Sequence, residues 1–456
     1  MATALQLTNE LGEISYDRPQ TRRMARLFFA TFWLIIFTGA IRKWVFPNLT
    51  ALYLLQDVPI TVAYIYALVT GLYARSLVLI GICILSVILV LQALLQIILI
   101  GLSPFTAAVG LHHYLYYLPM LIVFSVILDA KNRRDFIRWN LLLAIPMSVL
   151  GLAQSLSPST AFVNRSSAGG AMIIPEGGIS RGTGTFNFTA FYALWLGLAF
   201  ALCVGEWLQP QGKRNIQNRL LLFSCTAALL IATLVSAERT AIGLMMVALV
   251  GGAIAAGLLG STRPLVAISL ILVLLPVGAG VTALISPAEF TSITNRITDS
   301  DNISDTKVRI RDMIIGFLEV DFNPIGAGIG MGVDAAHVGE TGGYDATYNL
   351  SEMDITRTVM ELGTFVGLLY AFVRIGFFAG MLLLAVYLVR KRCSPHVLPL
   401  ALVLFVTGYG GDMTRNSTMT STQLMLGCAF ILGVFYFPDN DPAILASNEE
   451  IMMRTA

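Results

Sequence analysis

The sequence predicts an all-α polytopic membrane protein of about twelve transmembrane helices, with a large outer loop that contains an amphipathic helix. Three observations carry this prediction. Of 456 residues, 56% are hydrophobic and only 12% are charged, against roughly 25% charged in soluble domains. The mean hydropathy is +0.76. The apolar residues also fall into separate runs of bilayer-crossing length, which for a helix is about 20 residues. The near balance of 29 Lys+Arg against 27 Asp+Glu excludes a nucleic-acid binder. Five cysteines in so long a chain exclude a disulfide scaffold. Cys83, Cys203, Cys225 and Cys428 sit in apolar runs and Cys393 follows a basic cluster, so all five read as free thiols.

The runs lie at 25–41, 52–71, 77–100, 107–128, 139–156, 188–208, 220–236, 240–259, 265–285, 358–389, 397–411 and 418–437. The first reads as an anchor. Glu10, Glu13 and Asp17 precede it and no small-residue cleavage site follows, unlike a signal peptide. Short loops rich in Lys and Arg stay in the cytoplasm. A cytoplasmic N-terminus puts Arg18, Arg22, Arg23 and Arg26 inside, together with Lys131-Asn132-Arg133-Arg134, Lys213-Arg214 and Arg390-Lys391-Arg392. Both termini are then cytoplasmic. Residues 1–456 form a single integral-membrane domain with outer loops at 157–187 and 286–357, both longer than simple connectors.

Outer charges that insertion does not require are the candidates for chemistry. Ser236-Ala237-Glu238-Arg239-Thr240 is a tight outer hairpin, in which Glu238 and Arg239 form a structural pair or Arg239 holds an anion. A guanidinium suits phosphate because it is planar, always charged and bidentate. Ser304–Val320 reads as the amphipathic helix, capped by Ser304 or Asp305. On it, Arg309 and Arg311 are either a salt-bridged surface or a basic pair aimed at phosphate; Asp312, beside Arg311, cannot face it. The run Gly326-Ala-Gly328-Ile-Gly330-Met-Gly332 looks like a phosphate loop, but no Lys-Ser/Thr follows, so the glycines read as close backbone packing. Arg181, flanked by glycine before a span, fits a close approach to a ligand or an ordinary interfacial arginine. Asp57 and Arg374 lie within spans, where charges are functional candidates; Arg42 or Lys43 is the expected partner of Asp57. His112 and His113 stand beside Tyr114, Tyr116 and Tyr117, and could touch sugar or phosphate. Four histidines without metal-ligand spacing argue against a metal site.

Several segments recur in a characteristic order: Arg181-Gly-Thr-Gly-Thr-Phe-Asn before a span, the Ser236–Thr240 hairpin, Arg309 and Arg311 before Asn323-Pro324-Ile-Gly-Ala-Gly, and Glu361-Leu-Gly363 opening a long span. With the Arg42-Lys43-Trp44-Val-Phe-Pro47 turn and Asp57-Val-Pro59, the chain resembles the O-antigen polymerase and ligase family of bacterial inner-membrane glycosyltransferases, and a polymerase-type subgroup associated with exopolysaccharide loci. The resemblance implies a GT-C-class transferase without metal or cofactor. Its substrates would be oligosaccharides on undecaprenyl pyrophosphate, met at the periplasmic face of the inner membrane.

By the same resemblance, Arg239 matches one essential outer arginine and Arg309 or Arg311 the other. Arg181, Arg357, His113 and His337 are the expected substrate contacts. The ligases carry a His-Asn pair eleven residues before a glycine. Counting back from Gly363 gives Glu352, and from Gly367 gives Thr356, which argues against a ligase. Glu352 and Asp354 are then the candidate general bases, with Glu352 preferred and His337 or His113 behind them. Single displacement would invert the anomeric centre. The alternatives are an O-antigen-type ligase, a lipid-linked oligosaccharide flippase or transporter, and a non-catalytic partner of other polysaccharide assembly proteins.

Overall fold

A computed structural model of the chain describes residues 19–47, 49–165, 181–209, 216–236, 238–260, 300–333, 336, 350–351, 353–391, 393–411, 413 and 418–438. Helix α1 (Pro19–Ala40) opens on a proline, whose missing N–H is not needed in a first turn. It continues into a π-helical turn over Ile41–Val45, where Phe46 N–H donates to Ile41 O at 2.9 Å. Helices α2 (Asp57–Thr70) and α3 (Leu77–Ile100) each stop at a glycine in the left-handed region, Gly71 and Gly101.

The expected span at 107–128 is not one helix. It divides into α4 (Pro104–Leu115), α5 (Met120–Phe124) and a 3-10 turn over Ser125–Ile127. The break falls at Pro119, which has no N–H to donate and crowds the carbonyl four residues back, that of Leu115. Helix α6 (Ala130–Leu156) starts well before the expected residue 139. Asp129 caps it by accepting from Asn132 N–H at 2.8 Å. Buried Arg133 ties that first turn to the far end of the chain, donating to Leu128 O, Gly433 O and Phe437 O.

Next come α7 (Thr189–Leu208), α8 (Ile216–Val235) and α9 (Arg239–Leu259). The amphipathic helix is α10 (Ser300–Ile315); it begins four residues before the expected start and yields to a 3-10 turn at Gly316, a weak helix former. The long run expected at 358–389 is two helices, α11 (Asp354–Leu362) and α12 (Thr364–Arg390). They meet at Gly363, whose φ of +81° no L side chain adopts readily. The last two helices are α13 (Val397–Gly410) and α14 (Thr418–Tyr436).

The described residues are helical with no strand. Ten helical stretches among them are long and apolar enough to cross a membrane, and α13 is a shorter apolar helix. The run at 265–285 lies outside the described residues. Helices α7 and α14 are buried almost throughout, as central helices are; α7 is apolar on nearly every side, while α14 opens on buried Thr418, Thr420, Ser421, Thr422 and Gln423. Helix α3 is the opposite case. Leu77, Ile80, Ile84, Val87, Leu91, Leu94 and Ile98 recur every three or four residues and are all exposed. So long an apolar stripe is stable facing hydrocarbon, not water. The other face of α3 buries Leu85, Leu89, Gln92 and Gln96 against the bundle.

Candidate functional site

Helix α11 is short, but two faces are sharply drawn. Ile355, Val359 and Leu362 are apolar and buried, while Asp354, Arg357, Thr358 and Glu361 recur at three- and four-residue spacing and are buried as well. Buried charges persist only when paired and hydrogen-bonded, and here every one has partners.

Asp354 is the junction. One carboxylate oxygen accepts from Arg357 and the other from Arg374 of α12. The second oxygen also accepts from Met413 N–H at 3.1 Å. Arg374 in turn donates through Nε to Gly408 O at 2.6 Å and through Nη2 to Gly411 O at 2.9 Å, carbonyls at the end of α13. The intramembrane arginine foreseen in the sequence is therefore a fixed strut between three chain segments.

Glu361 sits on the next turn. Its Oε2 accepts from Tyr114 OH at 2.9 Å and from Gly330 N–H at 3.2 Å, and its Oε1 accepts from Gly332 N–H at 2.8 Å. Arg357 Nε lies 3.6 Å from Oε1. The glycine run that looked like a phosphate loop thus wraps a carboxylate of its own chain, as successive N–H groups do around an anion. Close packing requires these glycines: a side-chain carbon on Gly330 would collide with Thr106 O and lie 2.9 Å from Gly110 N, and one on Gly332 would collide with the Arg357 side chain. Gln92 and Gln96 lock the loop to α3, both donating to Ile325 O, while Gln96 Oε1 accepts from Ile329 N–H at 2.7 Å.

Burial pushes the Glu361 carboxyl above the usual carboxylate value, opposed by Arg357, Tyr114 and the two glycine N–H groups. The folded state then holds this proton more tightly than the unfolded chain. Stability from this group is complete below the ordinary carboxylate value and is lost as pH rises toward the raised one. Thermal unfolding in detergent should show that downward slope, and Glu361→Gln should abolish it.

Beside this cluster a cavity of about 330 Å³ runs between α3, α12 and α14. Leu85, Leu121, Phe377, Phe378 and Met425 make its wall apolar, Arg374 is the one charged lining residue among the described residues, and exposed Ile84, Leu369 and Val373 form its rim.

The other foreseen residues fall elsewhere. Arg181 Nη1 pairs with Glu238 at 2.9 Å, so the Glu238 carboxylate is turned to the 181–187 segment; Arg239 is exposed in the first turn of α9. Arg309 and Arg311 are exposed on α10, which docks through Tyr409 OH to Ile314 O at 2.7 Å. Arg311 does find carboxylates, Asp312 at 3.3 Å and Glu319 at 2.5 Å, because the 3-10 turn folds Glu319 back. His113 is buried, its Nδ1 2.9 Å from Val109 O. Glu352 and His337 lie outside the described residues.

Asp57 is not reached by Arg42 or Lys43. It accepts from Tyr117 OH at 2.9 Å and lies 3.1 Å from His112 Nε2. The π-helical turn aims Lys43 the other way, at Thr183 Oγ1 and Gly184 O. Glu361 was read in the sequence only as part of a signature. Its role was visible in the spacing of Asp354, Arg357, Thr358 and Glu361, a charged helical face directly before an apolar span.

Fold and composition define a multi-pass, all-α membrane protein with a buried polar cluster at one end of its bundle. No family model and no curated protein matches its sequence.

Proposed function

We propose that this chain is a polysaccharide polymerase of the bacterial inner membrane, transferring an undecaprenyl-pyrophosphate-linked glycan onto a lipid-linked repeat unit. The observation that carries this reading is the cavity between α3, α12 and α14. An apolar slot that opens between lipid-facing side chains and ends at a rigid polar cluster suits an amphiphile with a long hydrocarbon tail.

The chemistry asks for three things. The acceptor hydroxyl oxygen bonds to the anomeric carbon as the bond from that carbon to the pyrophosphate oxygen breaks. The pyrophosphate leaves with the electron pair, and its growing charge calls for fixed cations; exposed Arg239, Arg309 and Arg311 are the assigned groups. The hydroxyl proton passes to a carboxylate. Both oxygens of Asp354 are already engaged by Arg357, Arg374 and Met413 N–H. This makes Asp354 a positioning residue and leaves Glu352 as the base. Arg357, wholly buried, likewise supports the site from beneath.

The reading is tested by incubating the purified protein with a defined undecaprenyl-pyrophosphate-linked repeat unit. Chain extension is expected without added metal; its absence, with transport of the same lipid into the opposite leaflet, would favour a flippase. Orientation has its own check. A cysteine placed at Ser300 should react with an impermeant thiol reagent from the periplasm and one at Gln211 should not; the reverse pattern would put the site on the cytoplasmic side.

A further inference from the structure

Lys43 has a solvent exposure of 0%, yet no carboxylate among the described residues pairs with it. Its ammonium donates to Thr183 Oγ1 at 2.6 Å and to Gly184 O at 3.4 Å. Neither acceptor needs a cation. Gly184 O already accepts from Gln154 Nε2 at 2.9 Å, and Gln154 Oε1 takes Thr183 N–H at 2.9 Å. Asp57, the counter-ion expected from the sequence, is committed to Tyr117 and His112.

Two more cations border the same segment. The Asn187 amide, with its oxygen toward Arg42, accepts from Nη1 at 2.9 Å, and Arg42 Nε is buried without a partner. Arg181, which begins the segment, pairs through Nη1 with Glu238, while its Nε is also buried without a partner. Three positive side chains thus meet at residues 181–187 with one paired carboxylate, Glu238, among the described residues. Burying an ammonium without an opposite charge costs several kcal/mol, and a hydrophobic residue of similar volume would avoid that cost. An anionic ligand would supply the missing charge.

We propose that Arg42, Lys43 and Arg181 form an anion site that takes the pyrophosphate of a second lipid-linked glycan, the acceptor in the polymerase reading. This rests on that reading, because only a two-substrate polymerase brings two lipid pyrophosphates to one end of the bundle. The chemistry fits the ligand. Arg42 and Arg181 are partly exposed and carry planar, bidentate guanidiniums, while buried Lys43 adds its charge from within, held by the buried Thr183 hydroxyl. Trp44 and Phe162 stack at 6.5 Å alongside, with Arg165 over the Phe162 ring at 5.2 Å, extending the basic surface.

The test is equilibrium binding of farnesyl pyrophosphate to the full chain in detergent, followed by quenching of tryptophan fluorescence. Lys43→Met and Arg42→Gln should each weaken binding at least about tenfold; inorganic pyrophosphate should compete and phosphatidylglycerol micelles should compete poorly. Arg42→Gln guards against misfolding, since Arg42 is partly exposed and its side chain bonds Asn187 alone among the described residues. If the wild type binds and both variants bind equally well, the assignment falls while the polymerase reading stands. Equal affinity for phosphatidylglycerol would make this a site for bulk lipid headgroups and overturn the acceptor assignment. No binding by the wild type would overturn the site and remove the substrate class from the polymerase reading as well.

Discussion

Replacing Asp354 with alanine is expected to cost about 3–5 kcal/mol of stability, the usual price of stripping one partner from a buried ion pair. Asp354 is only 3% exposed and serves two guanidiniums and a backbone N–H. Its loss leaves Arg357 and Arg374 side by side in a low-dielectric interior without their shared carboxylate. Arg357 retains Glu361, 3.6 Å away, but Arg374 is left with the carbonyls of Gly408 and Gly411. Asp354→Asn keeps the shape and one acceptor, so it should fall between wild type and alanine. Removing the orphaned charge as well, in Asp354→Ala with Arg374→Met, should recover part of the loss. Thermal unfolding in detergent reads all three. A loss below about 1 kcal/mol in Asp354→Ala, the range of exposed pairs, would mean that water enters the cluster.

Glu352→Gln should leave folding intact and slow chain extension by about 10²–10⁴-fold, the effect of losing a general base. The competing explanation is that Glu352 merely supplies negative charge ahead of α11, where it favours the helix dipole. That effect is at most about 1 kcal/mol at an exposed position, too small to stop turnover. Single-turnover rates with a lipid-linked repeat unit separate the two by magnitude. Asp354→Asn must be compared at a temperature where it is folded. Near-normal extension by Glu352→Gln would remove it as the base and turn attention to His337 and His113.

Some of this was legible from residue order alone. Apolar runs located the membrane helices because insertion depends on local hydrophobicity, which a window along the chain captures. The breaks within those runs were harder. Pro119 and Gly363 are both punctuation, yet hydropathy averages over them and predicts one helix where there are two. The start of α6 was missed for a related reason. Arg133 makes its first turn look like a polar loop, while the structure buries that arginine against Gly433 and Phe437 at the far end of the chain.

The sequence by itself determined the class of protein, the place of ten of the twelve expected spans and the amphipathic α10, since each depends on neighbours within a few turns. Only the tertiary structure decided the pairing of charges. Arg374 was known to lie in a span, but not that it meets Asp354; the glycine run was known to pack closely, but not that it closes on Glu361. Asp57 and Lys43 looked like partners across a short turn and are directed apart by one π-helical turn. The physical reason is that a buried charge is satisfied by whichever donor or acceptor the fold brings within about 3 Å. Those partners come from different helices and loops, so their identity is a property of packing and not of residue order.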